Sequence, residues 1–351
     1  MTSASDADSA STRAPGRLGR LANWSASNQY VGVLLVLLCL VIVFSIREPR
    51  FLTVANIRVL LTGIAILWMI SLGLTVVMLT GGFDLSLGSM LALSGFIFVG
   101  FYLHLGVPAL GAVILTVAVG AAIGGLVNGF LIGRVGMPFL VVTIGTLSLY
   151  QGITYLVSDG QTTSITSSLL DSIGFDNALG VPITVWIMLG TLIAAMFVLR
   201  MTYFGRDIYA TGGNATAARL AGVNVPLTLM LAYAIAGAMA ALAGVLQVAF
   251  ISAASPVGSA NVIFDATAAV LLGGTVLGGG VGGVGGTVIG VLFLGVLQNG
   301  LALAGIQSAW QQVISGAIVI LAVLGQQLQR GRRPGDLRRL LGRSTTARDP
   351  A

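Results

Sequence analysis

Lysine is absent from this chain, and only 8% of its 351 residues are charged. A water-soluble domain usually carries about 25% charged residues. Cysteine occurs once, at Cys39 inside an apolar run, so no disulfide can form within the chain, and the position reads as a packed thiol. Histidine also occurs once, as His104 at the end of an apolar run. That excludes a histidine-based metal site and a Ser-His-Asp triad. No G-x-x-x-x-G-K-[ST] stretch is present, which removes the P-loop route to ATP. Residues 1–28 have no apolar core and so no signal-peptide h-region; they read as a disordered cytoplasmic tail.

Apolar side chains make up 56% of the sequence and the mean hydropathy is +1.00. No soluble core of this length hides so much apolar surface, so lipid is the solvent. The 49 glycines suit close helix packing in a membrane. A span needs about 20 apolar residues. Runs of that kind lie near 30–46, 56–79, 86–104, 108–133, 139–157, 181–199, 227–250, 262–277, 285–304 and 308–328. The fold expected is an all-α integral membrane protein of about ten transmembrane helices. The glycine-rich segments near 80–90 and 273–287 are expected to be broken or re-entrant.

All 17 basic residues are arginine, which reads as the codon usage of a GC-rich genome. Basic residues flanking the spans mark the cytoplasmic side. With the N-terminus inside, 14 arginines fall inside, and only Arg47, Arg50 and Arg58 fall outside. The loop 158–180 contains Asp159, Asp171 and Asp176 and no arginine, as an outer loop should. An even number of spans with both termini cytoplasmic fits. An internal echo is also visible. Val127-Asn128-Gly129 resembles Gln298-Asn299-Gly300, and Gly81-Gly82 and Gly273-Gly274 precede them. Transporters are often built from repeats of this kind.

Four segments hold the candidate residues. In Leu79–Ser89, Gly81 and Gly82 free the backbone, and Asp84 and Ser86 can cap the next helix. Asp84 reads as a structural cap and hinge or as a contact with a transport path, because carboxylates at membrane depth are costly. In the loop 203–223, Asn214 is a good N-cap, 215–221 are helix formers and Gly222 is a stop, with Arg206 and Arg219 flanking. A short amphipathic helix presenting Ala217, Ala218 and Leu220 suits docking into a partner's groove. The glycines of 269–287, with Gly273 and Gly274 first, suit a close crossing or a re-entrant turn. Asn128, Pro138, Thr143 and Thr146, like Gln151, Gln247 and Asn299, either bond across helices or line a polar cavity.

Together these blocks resemble the permease subunits of ribose-type ABC sugar importers, over about residues 30–328. The marks are Gly81-Gly82-Phe83-Asp84-Leu85-Ser86-Leu87-Gly88-Ser89; Asn128-Gly129 through Pro138-Phe139 to Thr143-Ile144-Gly145-Thr146; Gly205-Arg206-Asp207-Ile208-Tyr209-Ala210 through Gly213-Asn214 to Ala218-Arg219-Leu220-Ala221-Gly222; and Asp265 through Leu272-Gly273-Gly274-Thr275 to Gly286-Thr287. The resemblance implies a permease domain over 29–328, a coupling loop over 201–226 and an Arg-rich cytoplasmic tail over 329–351. It further implies two permease copies or a permease with a sister, separate ATPase subunits that hold the ATP, and an extracytoplasmic sugar-binding protein. The setting it implies is the inner membrane of a bacterium, with no cofactor, metal or catalytic residue on this chain. Pathway or hinge candidates are Gly81, Gly82, Asp84, Ser86, Asn128, Thr143, Thr146, Asp265, Gly273, Gly274 and Asn299. Coupling candidates are Gly205, Arg206, Asn214, Ala217, Ala218, Arg219, Leu220 and Gly222. One departure stands out. Where ribose-type members often carry Tyr-Glu-Leu, this chain has Val262-Ile263-Phe264, so ribose itself is in doubt as the solute. The rival readings are a branched-chain amino-acid permease, an ion-coupled transporter and a membrane enzyme. An ion-coupled transporter would have only Asp84 and Asp265 as intramembrane carboxylates and no use for the docking loop, and a membrane enzyme lacks the catalytic set it needs.

Overall fold

The computed structural model describes residues 29–257 and 262–330. The expected tail over 1–28, and that over 329–351 beyond residue 330, lie outside the described residues. The helices are α1 Gln29–Arg47, α2 Val54–Leu79, α3 Leu87–His104, α4 Ala109–Gly133, α5 Phe139–Ser158, α6 Ser168–Phe175, α7 Ile183–Met201, α8 Tyr203–Gly213, α9 Ala215–Leu220, α10 Val225–Ile251, α11 Val262–Leu272, α12 Val284–Leu303 and α13 Ser308–Arg330. Among the described residues, four two-residue strands accompany them: β1 Thr163–Ser164 pairs antiparallel with β4 Ala253–Ala254, and β2 Asn177–Ala178 with β3 Val181–Pro182.

Among the described residues, seven helices are long and apolar enough to cross a membrane: α2, α3, α4, α5, α7, α10 and α12. Gly32–Arg47, Val262–Leu272 and Ser308–Leu324 are shorter apolar helices. The apolar run at 262–277 is therefore not one full span. Its helix α11 has 11 residues, a rise of about 16 Å at 1.5 Å per residue, against a hydrocarbon core of about 30 Å. It stops because Gly274 turns to φ +80°.

The centre of the fold is α2 and α10. Both are buried along most of their length, and Trp68 and Tyr233 are among the largest fully enclosed side chains. Hydroxyl and indole bonds tie α2 to its neighbours: Trp68 Nε1–H donates to Thr191 on α7 at 3.0 Å, and Thr75 and Thr287 on α12 share a bond of 2.8 Å. α4 and α10 cross with backbone against backbone. A Cβ at Gly120, Gly124, Gly129 or Gly133 would strike Ala241, Tyr233, Met230 or Pro226 respectively. Those glycines are spaced four, five and four apart. The spacing of five would leave the face of a regular helix, but α4 makes a π turn over Gly124–Gly129 that absorbs the extra residue. Small residues let helices approach where apolar burial gives no net drive, because lipid is as apolar as leucine.

α1, α4, α5, α7 and α13 instead expose large apolar side chains such as Leu35, Ile114, Leu156, Phe197 and Ile320. Cys39, expected to be packed, is exposed on α1, because α1 is peripheral and turns that face away from the chain.

Replacing Gly124 with valine should push α4 off α10. The expected cost is about 1–3 kcal/mol or more from overpacking, read as a lower melting temperature of the detergent-solubilised protein. The same change at Gly145, whose Cβ position is open, should leave the melting temperature within a degree or two.

Candidate functional site

Two helices end inside the fold in the same way. At the end of α2, Gly81 N–H donates to Met78 O at 3.0 Å and Gly82 N–H to Val77 O at 3.2 Å, with Gly81 at φ +85°. At the end of α11, Gly274 N–H donates to Leu271 O at 3.0 Å and Thr275 N–H to Val270 O at 3.1 Å, with Gly274 at φ +80°. Both are Schellman caps with glycine at the left-handed position. The echo between the two glycine pairs thus has a structural basis, shifted by one: Gly81 matches Gly274, not Gly273. Gly273 serves differently, since a Cβ there would strike Gly286 at the start of α12. Asn128 and Asn299 do not share an environment, as their partners below show.

After the first cap, the chain ties a buried polar knot. Asp84 is 1% exposed. Its Oδ1 accepts from the Ser86 N–H at 2.8 Å and the Ser86 hydroxyl at 2.6 Å, and its Oδ2 accepts from Asn128 Nδ2 at 3.2 Å. Asn128 Nδ2 also donates to Ser86 Oγ at 2.9 Å, and the Tyr150 hydroxyl reaches Asn128 Oδ1 at 3.5 Å. The Tyr233 hydroxyl donates to Phe83 O at 3.3 Å. The expected side-chain cap of α3 is not made: Ser86 makes no capping bond, and Asp84 instead closes a turn onto the Ser86 N–H just before the helix. Asn128 bonds across helices. Thr146 bonds back to Val142 O at 3.0 Å within α5, and the hydroxyl of Thr143 is buried without a partner among the described residues.

The second cap leads into the loop 273–283, which folds against the first. Gly280 N–H donates to Leu79 O at 2.9 Å, joining the end of α2 to that loop. α8 closes the junction. A Cβ on Gly212 would strike both Leu79 O and Gly280 N, and one on Gly279 would strike Gly81. The Tyr209 hydroxyl donates to Gly282 O at 3.2 Å. One helix outside the spans thus touches both helix breaks at once, and only residues without side chains fit where it does so.

The rest of that loop is built from local signals. The Thr202 hydroxyl caps α8 by accepting from Gly205 N at 3.2 Å, and Gly205 is needed because a Cβ would strike Val198 O and Leu199 O. Asn214 Oδ1 caps α9, accepting from Thr216 N and Ala217 N at 3.0 Å each. Gly222 ends it at φ +90°. Leu220 is 86% exposed and Tyr203 80%, with the Arg206 guanidinium 4.2 Å over the Tyr203 ring. Ala217 and Arg219 are exposed, but Ala218, expected on the presented face, is buried because α9 lays that side on the body of the protein.

At the far side, Asn56 and Asn299 form a reciprocal amide pair, with both bonds at 2.9 Å, which holds the start of α2 to the end of α12. Asp265 lies in the first turn of α11, beside the Ser315 and Gln298 side chains.

The family model of the branched-chain amino acid transport system / permease component matches residues 56–323. The chain belongs to that family. The permease is 39% identical to the ribose import permease protein of Escherichia coli strain K12 over 83% of its own length and 91% of the relative's. It is 39% identical to the ribose import permease protein of Bacillus subtilis strain 168 over 84% and 92%. It is 32% identical to the L-arabinose ABC transporter permease protein of Azospirillum brasilense over 93% and 94%. No solved structure matches the permease. Family and helices together make it a multi-pass membrane protein.

Sequence reasoning did not single out Tyr150, Gly212 or Tyr233, and took Tyr209 only as part of the block that begins at Gly205. The available signal was chemical: a tyrosine hydroxyl at membrane depth needs a partner, and the permease has only seven tyrosines. Replacing Asp84 with alanine should leave the donors of Ser86 and Asn128 unpaired, at about 1–3 kcal/mol for each buried group. A drop in melting temperature with intact membrane insertion is the outcome to look for.

Proposed function

We propose that the permease forms the membrane pathway of an ABC importer for a monosaccharide, with ATP bound and hydrolysed on separate subunits. The observation that carries this is the loop α8–α9. It offers Tyr203, Arg206, Arg219 and Leu220 outward, while its inner side rests on both helix breaks. A helix that only set membrane orientation would have no reason to be fastened there. A helix pushed by an ATPase would move both breaks together. The relatives named for ribose, D-allose and L-arabinose support a sugar over the amino acids of the family description.

In this reading ten helices traverse the bacterial inner membrane wholly or in part, with both termini cytoplasmic. The loop contacts support it. The segments 80–86, 203–213 and 273–283 meet on one side, and β1 meets β4 on the other. Two permease copies, or one with a sister chain, would enclose the pathway, and an extracytoplasmic binding protein would deliver the sugar.

Expressed with its ATPase and binding-protein partners, the permease should support uptake of ribose, D-allose or L-arabinose but not of L-leucine. Uptake by the chain alone on an ion gradient would overturn the proposal. Replacing Leu220 with aspartate should lower uptake about thirtyfold, the effect of losing one interface anchor worth about 2 kcal/mol, with normal insertion. An epitope tag at residue 165 should be reached from outside the cell and one at the C-terminus only after permeabilisation; the reverse would refute the orientation.

A further inference from the structure

A cavity of about 240 Å³ lies among α2, α10, α11 and α12, on the side away from the docking loop. Its position follows from the chain order. Gln247 sits near the end of α10, Asp265 in the first turn of α11 and Gln298 near the end of α12. These three supply its polar wall, and Ile66, Leu67 and Phe250 are among the apolar residues opposite. The volume is just under the roughly 300–1,000 Å³ typical of pockets for drug-sized ligands, and so suits a smaller solute.

The polar groups differ in how they are used. The Gln298 and Ser315 side chains stand beside the Asp265 carboxyl group. Gln247 Oε1 is buried and has no hydrogen-bond partner among the described residues. Leaving such an acceptor without a donor costs about 1–3 kcal/mol. A glutamine that only tied helices together would point that oxygen at a helix donor. Here it belongs to a side chain lining the cavity.

We propose that Gln247, Asp265 and Gln298 form a solute-binding station for a neutral polyhydroxylated molecule. The assignment rests on the importer reading and adds to it the chemistry that selects the solute. Sugar hydroxyls both donate and accept, which matches two amides and one carboxylate. The atoms of these three side chains that face the cavity would meet those hydroxyls. Among the described residues no arginine lines the cavity, so no cationic side chain there pairs with the carboxylate of an amino acid or the phosphate of a sugar phosphate.

The test uses the complete transporter with its ATPase and binding protein, in a Cys39→Ser background. Gln247→Cys is labelled from outside with a small thiol-reactive reagent, in the presence of ribose, D-allose, L-arabinose, ribose 5-phosphate or L-leucine. The sugar that the transporter imports should slow labelling several-fold, and the phosphate and leucine should not. Gln247→Met, which keeps the volume and removes the amide, should lower uptake of that sugar about tenfold, the worth of one hydrogen bond of about 1.4 kcal/mol. If the transporter imports a sugar but labelling is indifferent to it and Gln247→Met transports normally, the station is refuted and the importer reading stands. If no sugar is imported, both fall.

Discussion

A backbone that leaves helical geometry inside a membrane must find every hydrogen bond within the protein, because lipid supplies none. This chain breaks its helices twice inside the fold, after Leu79 and after Leu272, and the surrounding structure answers that demand. Each break reuses its own carbonyls through a Schellman cap. The first then adds the Asp84 carboxylate, which accepts the N–H of Ser86. The second passes an N–H from Gly280 to Leu79 and receives the Tyr209 hydroxyl at Gly282. The high glycine content is partly a result, since the breaks and α8 approach one another more closely than any side chain allows.

The two breaks differ in how they are bonded. The Asp84–Ser86–Asn128 knot is buried and closely bonded, and a satisfied polar network at low dielectric holds one geometry. The glycine junction is joined by the Gly280–Leu79 and Tyr209–Gly282 hydrogen bonds and by close backbone contact.

Helix crossings show the same logic. The paired glycines of α4 stay on one face only because of the π turn at Gly124–Gly129. A linear reading with a period of 3.6 puts Gly129 off that face. The exposed apolar surfaces of α1, α4, α5, α7 and α13 need no partner within the chain, because hydrocarbon covers them.

Much was legible from residue order alone. Hydropathy and the scarcity of charge made the chain a helical membrane protein, because burial in lipid is a property of each run by itself. Asn214 and Gly222 bounded α9 correctly, because capping is a contact between residues two to four apart. The resemblance to sugar permeases was carried by short contiguous blocks. What tertiary structure decided was everything that joins distant segments. It ended α11 early, turned Ala218 inward and Cys39 outward, set Asn56 against Asn299, and brought Gln247, Asp265 and Gln298 around one cavity. Each of these depends on which helix faces which, and in an apolar chain that choice is made by backbone fit and by a few scattered polar partners, neither of which leaves a periodic trace in the sequence.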